Sequence, residues 1–146
     1  MALTRMDNIG IIVADLDTVV AFFTALGMEL EGKAVIEGEW AASLVGLDYQ
    51  SVDVAMMRTP DGHGRVELAS YRTPEAVPGV PRDAGANTLG IRRIMFTVED
   101  IHADIARLKE HGAELMGEVV RYEDSYLLCY LRGPEGIMVA LAQELG

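Results

Sequence analysis

The stretch "RRIMFTVEDIHADIARLKEHGAEL" (92–115) decides the fold, because it repeats the pattern of "NIGIIVADLDTVVAFFTALGMEL" (8–30). With a single offset of 85 residues and no gap, identical residues recur in both stretches, among them Asp15 with Asp100 and Gly27 with Gly112. A fixed offset of this kind indicates that one structural unit occurs twice.

Each copy begins with an apolar alternation, Ile9, Ile11 and Val13 in the first, which has the period of two residues expected of a half-buried strand. An aspartate follows in the place of a helix N-cap, and a helical apolar pattern comes next. A glycine closes each predicted helix, where a left-handed residue is favoured. The corresponding residues of the second copy are Ile94, Phe96, Val98, Asp100 and Gly112.

The repeat extends to a second pair of similar stretches, "MRTPDGHGRVELA" (57–69) and "LRGPEGIMVALA" (131–142). Each is typical of a strand, a Pro/Gly turn and a second strand. We therefore predict an α+β fold made of two tandem βαβββ modules whose curled mixed sheets surround a concave cavity. The modules span 1–71 and 90–146, and residues 72–89 form a proline-rich linker within a single domain of 146 residues.

Composition narrows the range of partners. The chain carries 12 basic and 23 acidic residues, a net charge of −11, so nucleic acid and anionic membrane surfaces are poor partners. Cys129 is the single cysteine, which rules out a disulfide within the chain. The N-terminal stretch lacks the pattern of a signal peptide, and no apolar run approaches the roughly 18 residues of a membrane span. We expect a cytoplasmic protein.

Strand alternation predicts which side chains share the face of each sheet opposite its helix. Ile9 and Val66 should face a helix, which places Asn8 and Glu67 on the other side of the first sheet. The same reasoning places Arg93 and Ala140 on the other side of the second sheet. By the symmetry of the repeat, these four positions are predicted to converge on the concave cavity.

The pattern resembles the vicinal-oxygen-chelate superfamily, which includes glyoxalase I, fosfomycin and bleomycin resistance proteins, extradiol dioxygenases and methylmalonyl-CoA epimerase. In metal-using members of that family, the position that matches Asn8 is usually His or Gln, and the position that matches Glu67 is usually Glu or His. The position that matches Arg93 is usually His, and the one that matches Ala140 is usually Glu. Here Glu67 alone is a good ligand, and Arg93 places a cation where a metal would lie. We therefore predict no metal and no cofactor.

Two interpretations of the polar group remain open. Arg93 and Glu67 can form a buried ion pair bridged by Asn8 that replaces a lost metal. Alternatively, Arg93 contacts a ligand as a clamp for a carboxylate, enolate or phenolate oxygen, and Glu67 acts as a general base. These two residues are the candidate catalytic residues if the protein is an enzyme.

The other candidate ligand-binding residues are apolar or aromatic. By strand register, Met6, Met95 and Met138 point toward the cavity. Either Met56 or Met57 joins them, and Met57 is the candidate. Methionine suits a site for an irregular apolar ligand. Trp40, in a short helical stretch with Leu44, is predicted to cover the ligand, to close the core or to contact a partner chain. Tyr126 and Tyr130 share one face of their strand, and Tyr130 is the candidate.

Two functions from different classes follow. The first, which we favour, is a metal-independent protein that binds a small, partly apolar or aromatic molecule, as bleomycin-type resistance proteins do by sequestration. The second is a lyase, isomerase or epimerase with Glu67 as base and Arg93 as oxyanion partner. A degenerate domain that serves regulation or assembly is a third. Exposed sheet edges favour a homodimer.

Overall fold

A computed structural model describes residues 2–146, and the chain divides into two compact units. Unit 1 ends at Pro78, and unit 2 comprises Gly79–Gly146. Each unit contains a mixed sheet, so the predicted α+β class with two mixed sheets is confirmed. Among residues 2–146, no helix is both long and apolar enough to cross a membrane.

Unit 1 is built on a four-stranded sheet, called sheet A, with the strand order β1-β4-β3-β2. Strand β1 runs parallel to β4, while β4, β3 and β2 are antiparallel to their neighbours. In chain order, the elements are β1 (Ile9–Ile12), α1 (Leu16–Leu26), β2 (Glu29–Glu37), α2 (Glu39–Val45), β3 (Ser51–Arg58) and β4 (Arg65–Thr73).

Helix α1 covers one face of sheet A and begins where the sequence predicts. The Asp15 carboxylate accepts a hydrogen bond from the Thr18 backbone N–H at 3.1 Å, and Gly27 ends the helix at φ 120°. The side chains that α1 buries are Val19, Phe22, Phe23 and Leu26. They pack on the fully buried residues of β3 and β4, namely Ala55, Met57, Val66 and Leu68.

Unit 2 repeats this arrangement in a second sheet, called sheet B, with the order β5-β9-β8-β6 and with β7 paired to β8. Its second strand is divided in two, because five residue steps separate Leu115 from Val120 while only three separate their partners Leu131 and Leu128 on β8. In chain order, the elements are β5 (Arg93–Thr97), α3 (Ile101–Lys109), β6 (Glu114–Leu115), β7 (Val120–Tyr122), β8 (Tyr126–Arg132) and β9 (Met138–Glu144).

Helix α3 begins as predicted but ends earlier. Asp100 accepts a hydrogen bond from the Ala103 N–H at 3.1 Å, so it is the N-cap. The helix stops at Lys109 because the last N–H groups, from Glu110 to Gly112, bond three residues back rather than four. Gly112 then takes the positive φ of 89° that the sequence suggested, just beyond the helix rather than at its end.

Part of the predicted linker is fixed to unit 2. The Arg132 guanidinium donates hydrogen bonds to the backbone carbonyls of Arg82 and Ala84, at 2.8 and 2.7 Å. The turn between β8 and β9 packs against the same segment, since Gly136 lies against the Arg82 backbone. The sequence suggested an irregular connection here, whereas residues 82–84 are held by a strand residue of the second module.

Candidate functional site

The face of sheet A opposite α1 carries the two candidate residues of unit 1. Glu67 lies across from Met56 on β3 and beside Gly10 on β1, and its side chain is half-buried. Asn8 precedes β1 and donates a hydrogen bond from Nδ2 to the Asp7 carboxylate at 2.8 Å. Gly10 is exposed, and a Cβ added there would meet nothing within 4 Å.

An arginine on the same face is already paired. Arg65 donates from Nη2 to Glu31 at 2.7 Å and from Nη1 to Asp7 at 3.0 Å. The hydrogen bonds from Arg65 hold the pKa of Glu31 below its usual range. The pKa of Asp7 is also lowered, first by the hydrogen bond from Asn8 and then by the charge of Arg65. Among the described residues of unit 1, none hydrogen-bonds to Glu67, but its charge and that of Arg65 attract each other.

The Arg65 network is the part of this face that sequence reasoning missed. Arg65 could be placed on the face by strand alternation, but its partner Glu31 could not. A β-bulge between Leu30 and Gly32 shifts the pairing of β2 with β3 and leaves Glu31 as the extra residue. Bulges re-aim side chains, and nothing in the local sequence indicates which face the extra residue takes.

Met57 does not lie on this face, which corrects the prediction. It pairs in register with Val66, is fully buried and belongs to the core beneath α1. Its neighbour Met56 pairs with Glu67 instead and takes the face opposite α1. The two methionines are adjacent on one strand, so a shift of one residue in the predicted register exchanges their roles.

The face of sheet B opposite α3 brings together the candidates of unit 2. Arg93 pairs with Met138 across β5 and β9, Met95 pairs with Ala140, and Tyr130 pairs with Ala140 from β8. Paired residues point to the same side of a sheet, so these side chains share one face. The other face carries Gln143, whose side chain accepts a hydrogen bond from the first N–H of α3 at 2.9 Å. Met138 and Ala140 are buried, while Arg93 and Met95 are exposed.

Arg93 and Tyr130 are in direct contact. Arg93 Nε donates a short hydrogen bond to the Tyr130 hydroxyl oxygen at 2.5 Å. Among residues 79–146, no carboxylate forms an ion pair with Arg93. The alternation left the face of Tyr130 open, and the pairing of Tyr130 with Ala140 places it beside Arg93. The predicted convergence of Arg93 and Ala140 with Asn8 and Glu67 stays a prediction, because these pairs belong to different units.

Trp40 lies on α2, as the helical pattern predicted, and its side chain is 64% exposed. Leu44, one turn further on, is exposed as well, whereas Ala41 and Ala42 are the residues that α2 buries. Trp40 therefore does not close the core of unit 1, which removes one of its three predicted roles.

Unit 1 also has a cavity of about 760 Å³ at the N-terminal end of α1, on the helix side of sheet A. Its charged groups are already engaged, since Asp53 binds Arg72 through two 2.8 Å hydrogen bonds and Lys33 lies 3.5 Å from Asp17. None of the predicted site residues lines this cavity. Its size alone does not make it a binding site.

The donor groups do not suit a divalent transition metal. Within residues 2–146, no group of three or more His, Cys, Asp or Glu side chains is placed to hold a metal ion. The four positions that resemble metal ligands supply one carboxylate, one amide, one guanidinium and one methyl group. A guanidinium has no lone pair to donate and repels a cation, so this set does not fit the metal of the resembled family.

Two mixed-sheet units, each with a capped helix on one face and with its first strand parallel to its last, define a small α+β protein built from a duplicated module. A sequence profile of the Glyoxalase/Bleomycin resistance protein/Dioxygenase superfamily matches residues 7–130. The chain belongs to this superfamily. Among curated protein sequences, none matches this chain.

Solved structures support the same assignment. A glyoxalase family protein from Bacillus cereus is 54% identical and has a TM-score of 0.95, with 100% of this chain and 99% of that chain covered. TnmS3, an antibiotic binding protein from Streptomyces, is 18% identical, with a TM-score of 0.61 and coverage of 99% and 98%. The fosfomycin resistance protein FosX from Listeria monocytogenes is 14% identical, with a TM-score of 0.63 and coverage of 99% and 94%. The last two share the fold.

Proposed function

We propose that this protein binds a small, partly apolar or aromatic molecule without a metal, on the face of sheet B opposite α3. The observation that carries the proposal is the Arg93–Tyr130 pair, which lies beside the exposed apolar side chain of Met95 on the same face. Ligand sites in proteins are commonly apolar surfaces with a few polar groups that fix orientation. Met95, which is 44% exposed, and the half-buried ring of Tyr130 supply the apolar surface. Arg93 and the Tyr130 hydroxyl supply the polar groups.

Metal independence rests on residue chemistry. Asn8 and Glu67 in unit 1, and Arg93 and Ala140 in unit 2, replace a ligand set with a single carboxylate among them. A bound transition metal needs about three or four N, O or S ligands, and a fixed guanidinium beside it would be unfavourable. Binding through hydrogen bonds and apolar contact remains available to such a surface.

Two proteins of the same fold suggest the role. TnmS3 is an antibiotic binding protein and FosX is a fosfomycin resistance protein. We propose that this chain similarly sequesters its ligand, so that its benefit to the cell is protection from a small toxic molecule. Sequestration requires affinity alone and no reacting group.

A ligand screen tests this function. We would screen aromatic and apolar molecules against the whole protein by ligand-observed NMR and repeat each positive result with Arg93→Gln. The control is Arg121→Gln, which removes an exposed arginine of the same unit that pairs with Asp124. Hits should weaken in the first variant and persist in the second. A complete lack of hits, or hits equally strong in both variants, contradicts the proposed surface.

Metal content is tested separately by elemental analysis of protein purified without added metal. We expect far less than one equivalent of any transition metal per chain. About one equivalent of zinc, nickel or iron, together with ligand binding that a chelator abolishes, contradicts metal independence.

A lyase or isomerase is the second candidate, and it is favoured by the Glu67 carboxylate, to which no described residue of unit 1 donates a hydrogen bond. A carboxylate whose oxygens accept no hydrogen bond within their unit has lone pairs that can accept a proton from a carbon next to a carbonyl group. Each hit of the screen should therefore be incubated with the protein and followed by NMR for chemical change. Turnover that Glu67→Gln abolishes while affinity remains would establish the enzyme and contradict simple sequestration.

A further inference from the structure

The contact between Arg93 and Tyr130 fixes how the arginine is presented. The 2.5 Å hydrogen bond occupies Nε, and Arg93 Cζ lies 5.7 Å from the centre of the Tyr130 ring. That separation is near the outer limit of about 6 Å for a cation–π contact, so the hydrogen bond dominates the arrangement. The guanidinium plane is therefore oriented by the phenol oxygen, while the N–H groups on its two Nη atoms remain available.

The neighbouring arginine on the same face is used differently. Arg132 also pairs in register with Met138, but both of its Nη atoms donate to the carbonyls of Arg82 and Ala84. Arg93 has no such backbone partners among residues 79–146, and no carboxylate of that unit pairs with it. Of these two arginines, Arg93 is thus the one prepared to receive an anion from solution.

Tyr130 adds a second donor beside it. A phenol is both an acceptor and a donor, and its oxygen already accepts from Arg93 Nε, so its own O–H proton must point elsewhere. The N–H bonds along one edge of a guanidinium run parallel. An oxygen next to the Tyr130 oxygen therefore lies within reach of both the Tyr130 O–H and the adjacent Nη N–H.

We propose that the ligand bound on this face is a carboxylate with an apolar or aromatic body, and that Tyr130 both orients Arg93 and donates to the carboxylate. This rests on the proposed binding function and names its ligand class. The planar carboxylate matches the planar guanidinium, and hydrogen bonds between charged partners are about twice as strong as neutral ones. The apolar body of the ligand lies against Met95 and the ring of Tyr130.

The test compares acids with their own primary amides, using naphthoate and biphenyl carboxylate as probes and calorimetry on the whole protein. We expect each acid to bind at least about tenfold more tightly than its amide, the factor given by one charge-assisted hydrogen bond. Arg93→Gln and Arg93→Lys should remove most of that preference, since a lysine lacks the planar fork.

Tyr130→Phe separates positioning from packing, because it keeps the ring and removes the hydroxyl. It should weaken binding of the acids by about fivefold while the amides and the melting temperature stay unchanged. Equal binding of acids and amides by the wild-type protein, or an acid preference that is undiminished in Arg93→Gln or in Tyr130→Phe, overturns the inference and leaves the binding function intact. Failure of both acids and amides to bind refutes the inference and also counts against the proposed surface.

Discussion

Gly136 passes so close to Arg82 that a Cβ atom on Gly136 would lie 2.6 Å from the Arg82 carbonyl oxygen and 2.7 Å from the Arg82 Cα. The backbone of Gly136 also has a positive φ of 82°, which residues with a side chain rarely adopt. The turn between β8 and β9 and the segment at residues 82–84 therefore fit together only because position 136 has no side chain.

Gly136→Ala is predicted to lower the free energy of unfolding by about 2–4 kcal/mol, because it adds both backbone strain and a steric clash. The matched control is Gly112→Ala, which has a φ of 89° but open space around its Cβ. It should cost only the backbone strain, about 1–2 kcal/mol. Urea unfolding followed by circular dichroism measures both, and equal costs would contradict the clash.

The adjacent methionines of β3 provide a second test. Met57→Ala should destabilise the protein by about 2–5 kcal/mol, because it opens a cavity in the core beneath α1. Met56→Ala, on the opposite and partly exposed face, should cost less than about 1 kcal/mol. Chemical denaturation of the two variants checks the register directly. A larger loss in Met56→Ala would show that the face assignment is inverted.

The Arg65 network predicts a pH effect in unit 1. Arg65 lowers the pKa of Glu31 in the folded chain. The pair therefore stabilises the fold at pH values above the pKa that Glu31 has in the unfolded chain. That contribution is lost as the pH falls through the lowered pKa, which places the loss below about pH 4.

In Arg65→Gln, the pKa of Glu31 should rise toward its ordinary value, as measured by NMR titration of the side-chain carboxyl carbon. The control is Arg72→Gln, which removes the partner of Asp53 and should raise the pKa of that residue while leaving Glu31 unaltered. A Glu31 pKa that stays low without Arg65 would assign the shift to another group.

The N-cap of α3 gives a fourth prediction. Asp100→Ala removes the acceptor of the Ala103 N–H and should cost about 1 kcal/mol of stability. Asp100→Asn keeps a side-chain oxygen of similar capping strength and should be nearly neutral. Thermal unfolding of the two variants distinguishes a capping role from a purely electrostatic one, for which Asn would be as harmful as Ala.

The repeat allowed much of the fold to be predicted. The period of two in β1 and β5, the capping aspartates Asp15 and Asp100, and the helical patterns are local signals, and each appears in the structure where the sequence placed it. The division of the second strand of unit 2 was not predicted, because the extra residues between its halves are revealed only by the pairing with β8.

Site residues were harder to place, since their neighbours come from distant parts of the chain. Strand parity put Arg93 and Met138 on one face, but it did not specify that Arg93 would bond to Tyr130, 37 residues away. It also did not determine which of Met56 and Met57 faced the core, because that choice depends on the register of β3 against β4.

The position of Cys129 has a practical consequence for spectroscopy. Its thiol is buried on the α3 side of sheet B, and burial raises its pKa, so alkylating reagents should leave it unmodified in the folded protein. A reporter group can therefore be attached through Ser43→Cys, at an exposed position of α2 near Trp40, without first removing the native cysteine. The wild-type protein, treated with the same reagent, thus serves as the unlabelled control for distance and mobility measurements on the labelled variant.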